Sequence, residues 1–256
     1  MKTSIKNIVK QCLCTLLIGT SSFVLAGEQT IKAGVGYKYL NSAFHNNKLH
    51  SGRYFSLGYG YSYGTKMQNY FQFQISNSNK EVNYELPFVT ANTNLDISQE
   101  FNFPCYKKGK FTNHSGFYFN NSFDLNFFPV IDRENFIWEN HLITGLSFRN
   151  LYQLKSKSSI NLNIQIPVFS SALSHRLDRF DGELPQTNRS LWESMDKQLG
   201  FVDQLFKPNF EIGYVKNIVS TIKAGVFYQA RFNWYERQNG YRTNSKAHII
   251  SLRITY

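Results

Sequence analysis

Ile249-Ile250-Ser251-Leu252-Arg253-Ile254-Thr255-Tyr256 closes the chain and alternates apolar with polar residues. Positions 250, 252, 254 and 256 are apolar or aromatic, whereas positions 251, 253 and 255 are polar. Because successive side chains of a β-strand point to opposite faces, this period of two predicts one apolar face and one polar face. The pattern fits a strand between lipid and a polar lumen, and it also fits the last strand of a soluble sheet.

The opposite end of the chain has the features of an export signal. Three lysines precede a short apolar run at 12–18, and Ala26 offers a small residue for cleavage. The run is shorter than the roughly 20 residues of a transmembrane helix, which favours a cleaved signal peptide over an uncleaved anchor. We therefore predict a signal peptide over 1–26 and one mature domain over 27–256.

Composition narrows the class of the mature domain. The 23 Phe and 16 Tyr residues, with only 6 Pro, favour strands throughout. No later stretch has 18 consecutive apolar residues, and only Cys105 remains as a cysteine, so we expect no internal disulfide. Beyond residue 26, 25 Lys and Arg stand against 17 Asp and Glu, a net charge of +8. No basic stripe on a recognition helix appears, which argues against nucleic acid and favours lipid phosphates or anionic solutes.

Ten segments of the mature domain alternate like the closing strand. They are 28–41, 53–63, 67–77, 92–103, 115–127, 136–150, 158–168, 208–217, 220–234 and 245–256. Connections after the second, sixth and eighth segments are short, the one after the fourth is moderate, and the others are mostly longer. With its alternating closing strand, the chain resembles bacterial outer-membrane β-barrel proteins. This resemblance implies a closed antiparallel transmembrane β-barrel of about ten strands, with short periplasmic turns and longer extracellular loops.

The same resemblance implies a location and partners. Both termini are expected in the periplasm, and the barrel is expected in the outer membrane as a monomer among lipid and lipopolysaccharide. The C-terminal strand is expected to be read by the barrel assembly machinery. No motif of a specific family is matched, and neither a cofactor nor a metal is predicted.

Charged side chains at the inward positions form two predicted walls. The basic wall consists of Lys32, Lys38, Lys223, Arg231 and Arg253. The acidic wall consists of Asp96, Glu100, Asp124 and Glu139. Opposed walls of this kind set ion selectivity in porin-like channels, here with a preference for a small anionic solute. The alternative is a lumen filled by salt bridges, since buried charges must pair.

Inward glycines also permit two interpretations. Folding the first hairpin about residues 46–47 sets Gly34 across from Gly60. The gap in side chains either leaves room for a solute or relieves crowding by bulky inward residues such as Phe227 and Tyr118.

A barrel-embedded enzyme is the main alternative function. The His-x-Ser pair of outer-membrane phospholipases and lipid A deacylases is absent, and so is the Asp-x-His pair of omptin proteases, for which the nearest match is Glu139-x-His141. Folding the third hairpin about residue 131 places Ser122 near His141, and Asp124 near Glu139. These four are candidates for a hydrolase or lipid-modifying enzyme. Alternatively, His141 is a satisfied hydrogen-bonding group of the lumen.

The longest connection, 169–207, supports a third hypothesis. Its charges alternate in sign, and Ser190 with Glu193 forms a capping box for a short helix. That helix would run through Trp192, Met195, Leu199 and Val202. The segment could fold into the mouth as a lid, serve as a surface-binding site, or form a solvated loop with one packed helical turn. The sequence therefore predicts a narrow channel or a structural barrel, with an enzyme or a surface-binding protein as alternatives.

Overall fold

The computed structural model describes the chain from residue 27 to the C-terminus with several gaps. The described residues are 27–42, 49–64, 67–82, 88–127, 136–155, 157–175, 195–201, 205–236 and 242–256. The predicted signal peptide at 1–26 lies outside them. Within the described residues, no helix has the length and apolar character needed to cross a bilayer.

Twelve strands form a single antiparallel sheet. They are β1 Gly27–Ser42, β2 Leu49–Tyr63, β3 Gln68–Val82, β4 Phe88–Lys108, β5 Phe111–Phe127, β6 Phe136–Lys155, β7 Ser158–His175, β8 Met195–Phe201, β9 Leu205–Phe206, β10 Asn209–Asn217, β11 Lys223–Glu236 and β12 Arg242–Thr255. The sheet closes because β12 pairs with β1, and β10 pairs with both β7 and β11. Since β8, β9 and β10 share one place in the circle, the structure is a closed ten-stranded antiparallel barrel, as predicted.

The two ends of the barrel differ in their connections. We call the end with the turns at 109–110 and 218–222 the turn end, and the opposite end the loop end. The first described strand and the last residue of the chain meet at the turn end, where the Gln29 and Tyr256 backbones exchange two hydrogen bonds of 2.9 Å. Closure in this way leaves the first and last strands without a free edge, which is what a sheet in lipid requires.

On the strands whose side chains are described, alternate residues point out of the barrel and are mostly apolar. On β12, Leu252 is 63% exposed, whereas the neighbouring Ser251 is 1% exposed. Phe55 and Leu57 on β2 and Phe117 and Phe119 on β5 follow the same rule. The predicted period of two is therefore confirmed, and it produces an apolar outer surface around a polar interior.

The position in the barrel between β7 and β11 is filled by three separate strands, β8, β9 and β10, instead of one continuous strand. β8 pairs with β7 at residues 169–175, and β10 pairs with β7 at residues 158–165. Pro167 and Pro208 lie at the interruption, where their missing N–H groups cannot complete the ladder. The β8–β10 strand accumulates four more residues than β7 over this stretch, so the chain near Lys207 bends into the lumen.

The predicted helix in segment 169–207 is wrong over residues 195–201. These residues form β8, so Met195 and Leu199 lie on a strand. A short isolated helix is marginally stable, whereas β8 completes the backbone hydrogen bonds that an extended β7 offers. The rest of the predicted helix, including Ser190 and Trp192, lies outside the described residues.

The predicted pairing of Gly34 with Gly60 is also wrong. In the β1–β2 ladder Gly34 faces Ser56, and Gly60 faces Thr30. An even register shift keeps every side chain on its own face, so alternation alone could not detect it. Other glycines relieve the crowding by bulky side chains instead. A Cβ on Gly213 would lie 2.1 Å from the Phe227 ring, and one on Gly145 would lie 2.6 Å from the Tyr118 ring.

Candidate functional site

The lumen holds most of the charged side chains that the sequence analysis singled out. Lys32, Asp96, Glu100, Asp124 and Glu139 are buried inside the barrel. Lys38, Arg231 and Arg253 are partly buried in the same space. Lys223 differs from these residues, because it stands at the rim of the turn end and bonds to the exposed Glu28.

Glu100 organises the first cluster, on the β4–β7 side. Arg149 donates two hydrogen bonds to this carboxylate, at 2.7 and 2.9 Å. Ser147 and Gln165 donate two more, at 2.9 and 2.7 Å. The Arg149 guanidinium also lies 3.6 Å from the centre of the Tyr70 ring. A bidentate arginine on a carboxylate is a strong and directional pair. The cluster therefore holds these side chains of β4, β6 and β7 in a fixed arrangement.

Glu211 on β10 organises a second cluster, which reaches across to β1 and β12. Arg253 donates a hydrogen bond to the Glu211 carboxylate, and Lys32 Nζ lies 3.6 Å from the same carboxylate. Lys32 also donates to Gln229 Oε1 at 2.8 Å. The Arg253 guanidinium lies over the Phe227 ring, 3.9 Å from its centre. Two cations thus share one buried carboxylate.

A third contact crosses the lumen. Arg231 Nη1 on β11 donates to Asp96 Oδ2 on β4 at 2.6 Å, and Arg231 Nη2 donates to Gln74 Oε1 on β3 at 2.7 Å. In the ten-place circle, β11 and β4 are diametrically opposed. The two predicted walls are therefore bonded to each other at this level rather than held apart by an open pore.

The fourth cluster lies nearer the loop end, under the inward bend of the chain. Lys207 Nζ donates to Ser122 Oγ at 2.6 Å and lies 3.5 Å from Asp124 Oδ2. Lys38 Nζ reaches the same carboxylate at 3.9 Å and donates to Asn92 Oδ1 at 2.6 Å. Contacts from β1 and from the β9–β10 segment to β5 thus cover this level of the lumen.

The candidate catalytic residues are neighbours in the ladder. Ser122 faces His141, and Asp124 faces Glu139, across β5 and β6. His141 Nε2 lies 3.8 Å from Glu139 Oε2, and its ring packs against Tyr235 with centroids 5.2 Å apart. The predicted register of this hairpin is therefore confirmed. Whether Ser122 could act as a nucleophile depends on the other contacts of its hydroxyl group.

The Ser122 hydroxyl is an acceptor in this arrangement. Lys207 and Asn94 both donate to its oxygen, and the residue has no exposed surface. Lys207 Nζ also lies 3.5 Å from Asp124 Oδ2, so the lysine bridges the serine hydroxyl and a carboxylate. A nucleophilic serine instead needs a base that accepts its proton and space for a substrate. The geometry thus favours a structural hydrogen-bond network at this position.

The described residues of the lumen bound a large cavity and a small one. A cavity of about 450 Å³ opens at the turn end and is bounded by Lys32, Glu100, Arg149 and Glu211 among others. A second cavity of about 60 Å³ lies at mid-height beside Asp96, Arg231 and Lys207. Arg149, Glu211 and Arg253 line both cavities, so the ion pairs of Glu100 and Glu211 lie between them.

Three charged residues in the described part of the lumen belong to neither predicted wall, namely Arg149, Glu211 and Lys207. Although Lys207 lies in the long connection 169–207, it has the same parity as the inward residues Asn209, Glu211 and Gly213 of β10. Continuing the period of two by one step would have pointed to it. Among the described residues, no group of three or more His, Cys, Asp or Glu side chains could hold a metal ion.

Comparison with solved structures identifies the architecture. The outer membrane protease OmpT of Escherichia coli superposes with a TM-score of 0.53 over 91% of this chain and 97% of its own, at 6% identity. The fold is that of the outer-membrane β-barrels. The translocator domain of the autotransporter NalP of Neisseria meningitidis is more distant, with a TM-score of 0.44 over 100% and 97% of the two chains and 8% identity.

The likeness to these proteins extends to the fold alone. At 6% identity with OmpT, no activity is carried over to this chain. No protein-family model matches the sequence, and no curated protein matches it either. Function must therefore be argued from the lumen and the surface of this barrel.

Proposed function

We propose that the protein is a barrel of the bacterial outer membrane whose lumen is closed by its own charged side chains. The hydrogen bond between Arg231 and Asp96, which joins opposite strands, carries this proposal. Lys207 supports it from a second direction, because it bonds to Ser122 and Asp124 three places away in the circle. The protein is then a structural barrel rather than a constitutively open channel.

The orientation in the membrane follows from the connections. Short turns face the periplasm and longer loops face outward in bacterial barrels. The turn end, with Gly27 and Tyr256, is therefore assigned to the periplasm. The 450 Å³ cavity becomes a periplasmic vestibule that ends at the ion pairs of Glu100 and Glu211.

An open channel and a closed barrel differ in one measurable property, which is their electrical conductance. In a planar bilayer, the unmodified barrel should show no stable conductance steps. Replacing both members of the crossing pair, Asp96→Ala with Arg231→Ala, removes the bridge without leaving an unpaired charge. Made together with Lys207→Ala, which removes the cover nearer the loop end, this double variant should conduct, because the bridge borders the 60 Å³ cavity at mid-height.

A matched control removes the same charges elsewhere. Glu28 and Lys223 also form an ion pair, but it lies exposed at the rim of the turn end. Glu28→Ala with Lys223→Ala, also made together with Lys207→Ala, should leave the barrel silent. Steady conductance of the unmodified protein would contradict the closed lumen and would support a narrow channel, with a small anionic solute as the candidate cargo.

A further inference from the structure

Among the described residues, exposed lysines are concentrated at the turn end. Seven lysines of the described strands and turns lie there, whereas Glu28 is the one exposed acidic side chain among the described residues of that end. The lysines are Lys107, Lys108, Lys110, Lys155, Lys157, Lys216 and Lys223.

Five of these lysines form a continuous exposed arc, which we call the lysine arc. It comprises Lys107, Lys108, Lys110, Lys157 and Lys216. The turns that carry them touch in sequence around the rim. The Gln153 amide donates to the Lys110 carbonyl at 2.8 Å, and the Asn217 amide donates to the Lys157 carbonyl at 2.8 Å. Lys223 does not belong to the arc, because its side chain is bonded to Glu28.

Two members of the arc stand at the border of the apolar outer surface. Lys108 follows Tyr106 by two residues, and Lys216 follows Tyr214 by two residues, so each lysine shares the outward face of its strand with a tyrosine. The tyrosines are 52% and 46% exposed. Aromatic side chains mark the lipid–water interface of barrels, and lysine stems extend from there toward the head groups.

The turn beyond Lys216 is apolar as well as exposed. Ile218 and Val219 are 57% and 52% exposed in the turn between β10 and β11. Aliphatic side chains next to lysines suit the boundary between acyl chains and head groups better than a water-filled space. This combination favours a membrane over a soluble polyanion as the partner of the arc.

We propose that the lysine arc binds anionic phospholipid head groups of the membrane leaflet that surrounds the turn end. Each lysine near a charged membrane surface contributes attraction that salt weakens. Lysine presents a compact charge with three donors, which suits a phosphate of variable orientation. The inference depends on the barrel being in a membrane and not on whether its lumen conducts.

The test compares lipid association in reconstituted vesicles. Spin-labelled phosphatidylglycerol and phosphatidylcholine report by electron paramagnetic resonance how strongly each lipid associates with the purified, membrane-inserted protein. The unmodified barrel should prefer phosphatidylglycerol, and Lys108→Gln with Lys216→Gln should lower that preference by about two-fold or more. High salt should reduce the preference of the unmodified barrel in the same direction.

Lys223→Gln is the matched control for Lys216→Gln. Both variants remove one positive charge next to the same turn, but Lys223 faces the lumen and is bonded to Glu28. The proposal expects a change for Lys216→Gln and little for Lys223→Gln. Equal effects, or no preference in the unmodified protein, would overturn it. Arc-dependent sedimentation with purified peptidoglycan, without lipid preference, would also overturn it and assign the arc to the cell wall. A barrel that fails to insert would show no motionally restricted lipid at all, which is a failure of the membrane assignment instead.

Discussion

Replacing Glu100 with alanine is expected to destabilise the barrel by about 3–5 kcal/mol, because it removes a buried carboxylate and leaves the partly buried Arg149 without its partner. Arg149 donates two hydrogen bonds to Glu100, and Ser147 and Gln165 lose their acceptor as well. Urea-induced unfolding in lipid vesicles, followed by tryptophan fluorescence, measures the change in free energy.

Glu28→Ala is the control for this prediction. Glu28 also pairs with a cation, but the pair is exposed to solvent at the rim. Exposed ion pairs contribute about 0–1 kcal/mol, so this variant should unfold almost like the unmodified protein. A Glu100→Ala barrel as stable as the Glu28→Ala barrel would mean that the lumen is well hydrated and its charges are not structurally important.

The second large effect concerns the lipid-facing surface of the closing strand. Leu252→Arg is expected to destabilise the folded barrel by about 2–4 kcal/mol, because a charge on the lipid face is most costly near the middle of the bilayer. Leu252 lies between the outward-facing Lys246 and Tyr256, which mark the two borders of the apolar band on this strand. Unfolding in vesicles without assembly proteins measures this cost separately from any recognition of the strand.

Tyr256→Arg places the same charge at a different depth in the membrane and serves as the comparison. Tyr256 is outward-facing but lies at the turn end, where the cost of a charge falls to about 0–1 kcal/mol. The difference between the two variants should therefore be large. Equal destabilisation would contradict the placement of the membrane on β12.

The fold could be predicted from the sequence because the period of two is repeated in every segment. Alternation decides which face each residue occupies, so the inward position of residues such as Lys32, Asp96 and Glu100 followed directly. Alternation does not decide pairing, because a shift of two or four residues keeps the faces unchanged. The predicted pairing of Ser122 with His141 is therefore confirmed on one hairpin, whereas the predicted pairing of Gly34 with Gly60 is wrong on another.

The contacts across the lumen could not be predicted for a different reason. Arg231 meets Asp96 only because closure brings β11 and β4 to opposite sides of a narrow barrel, and no local pattern encodes the rotation that aligns them. The inward bend at Lys207 was hidden by a helix-like spacing in the preceding segment. Pairing with β7 overrides that local preference and carries the chain into the lumen.

A double-mutant cycle between Asp96 and Arg231 tests most directly whether the two walls are bonded across the lumen. Asp96→Ala, Arg231→Ala and the double variant are compared with the unmodified barrel by unfolding in vesicles. The structure predicts a coupling free energy of about 1–3 kcal/mol, with the double variant more stable than the sum of the single losses implies. A coupling of about 0 kcal/mol would show that the two side chains do not meet and would contradict the closed lumen.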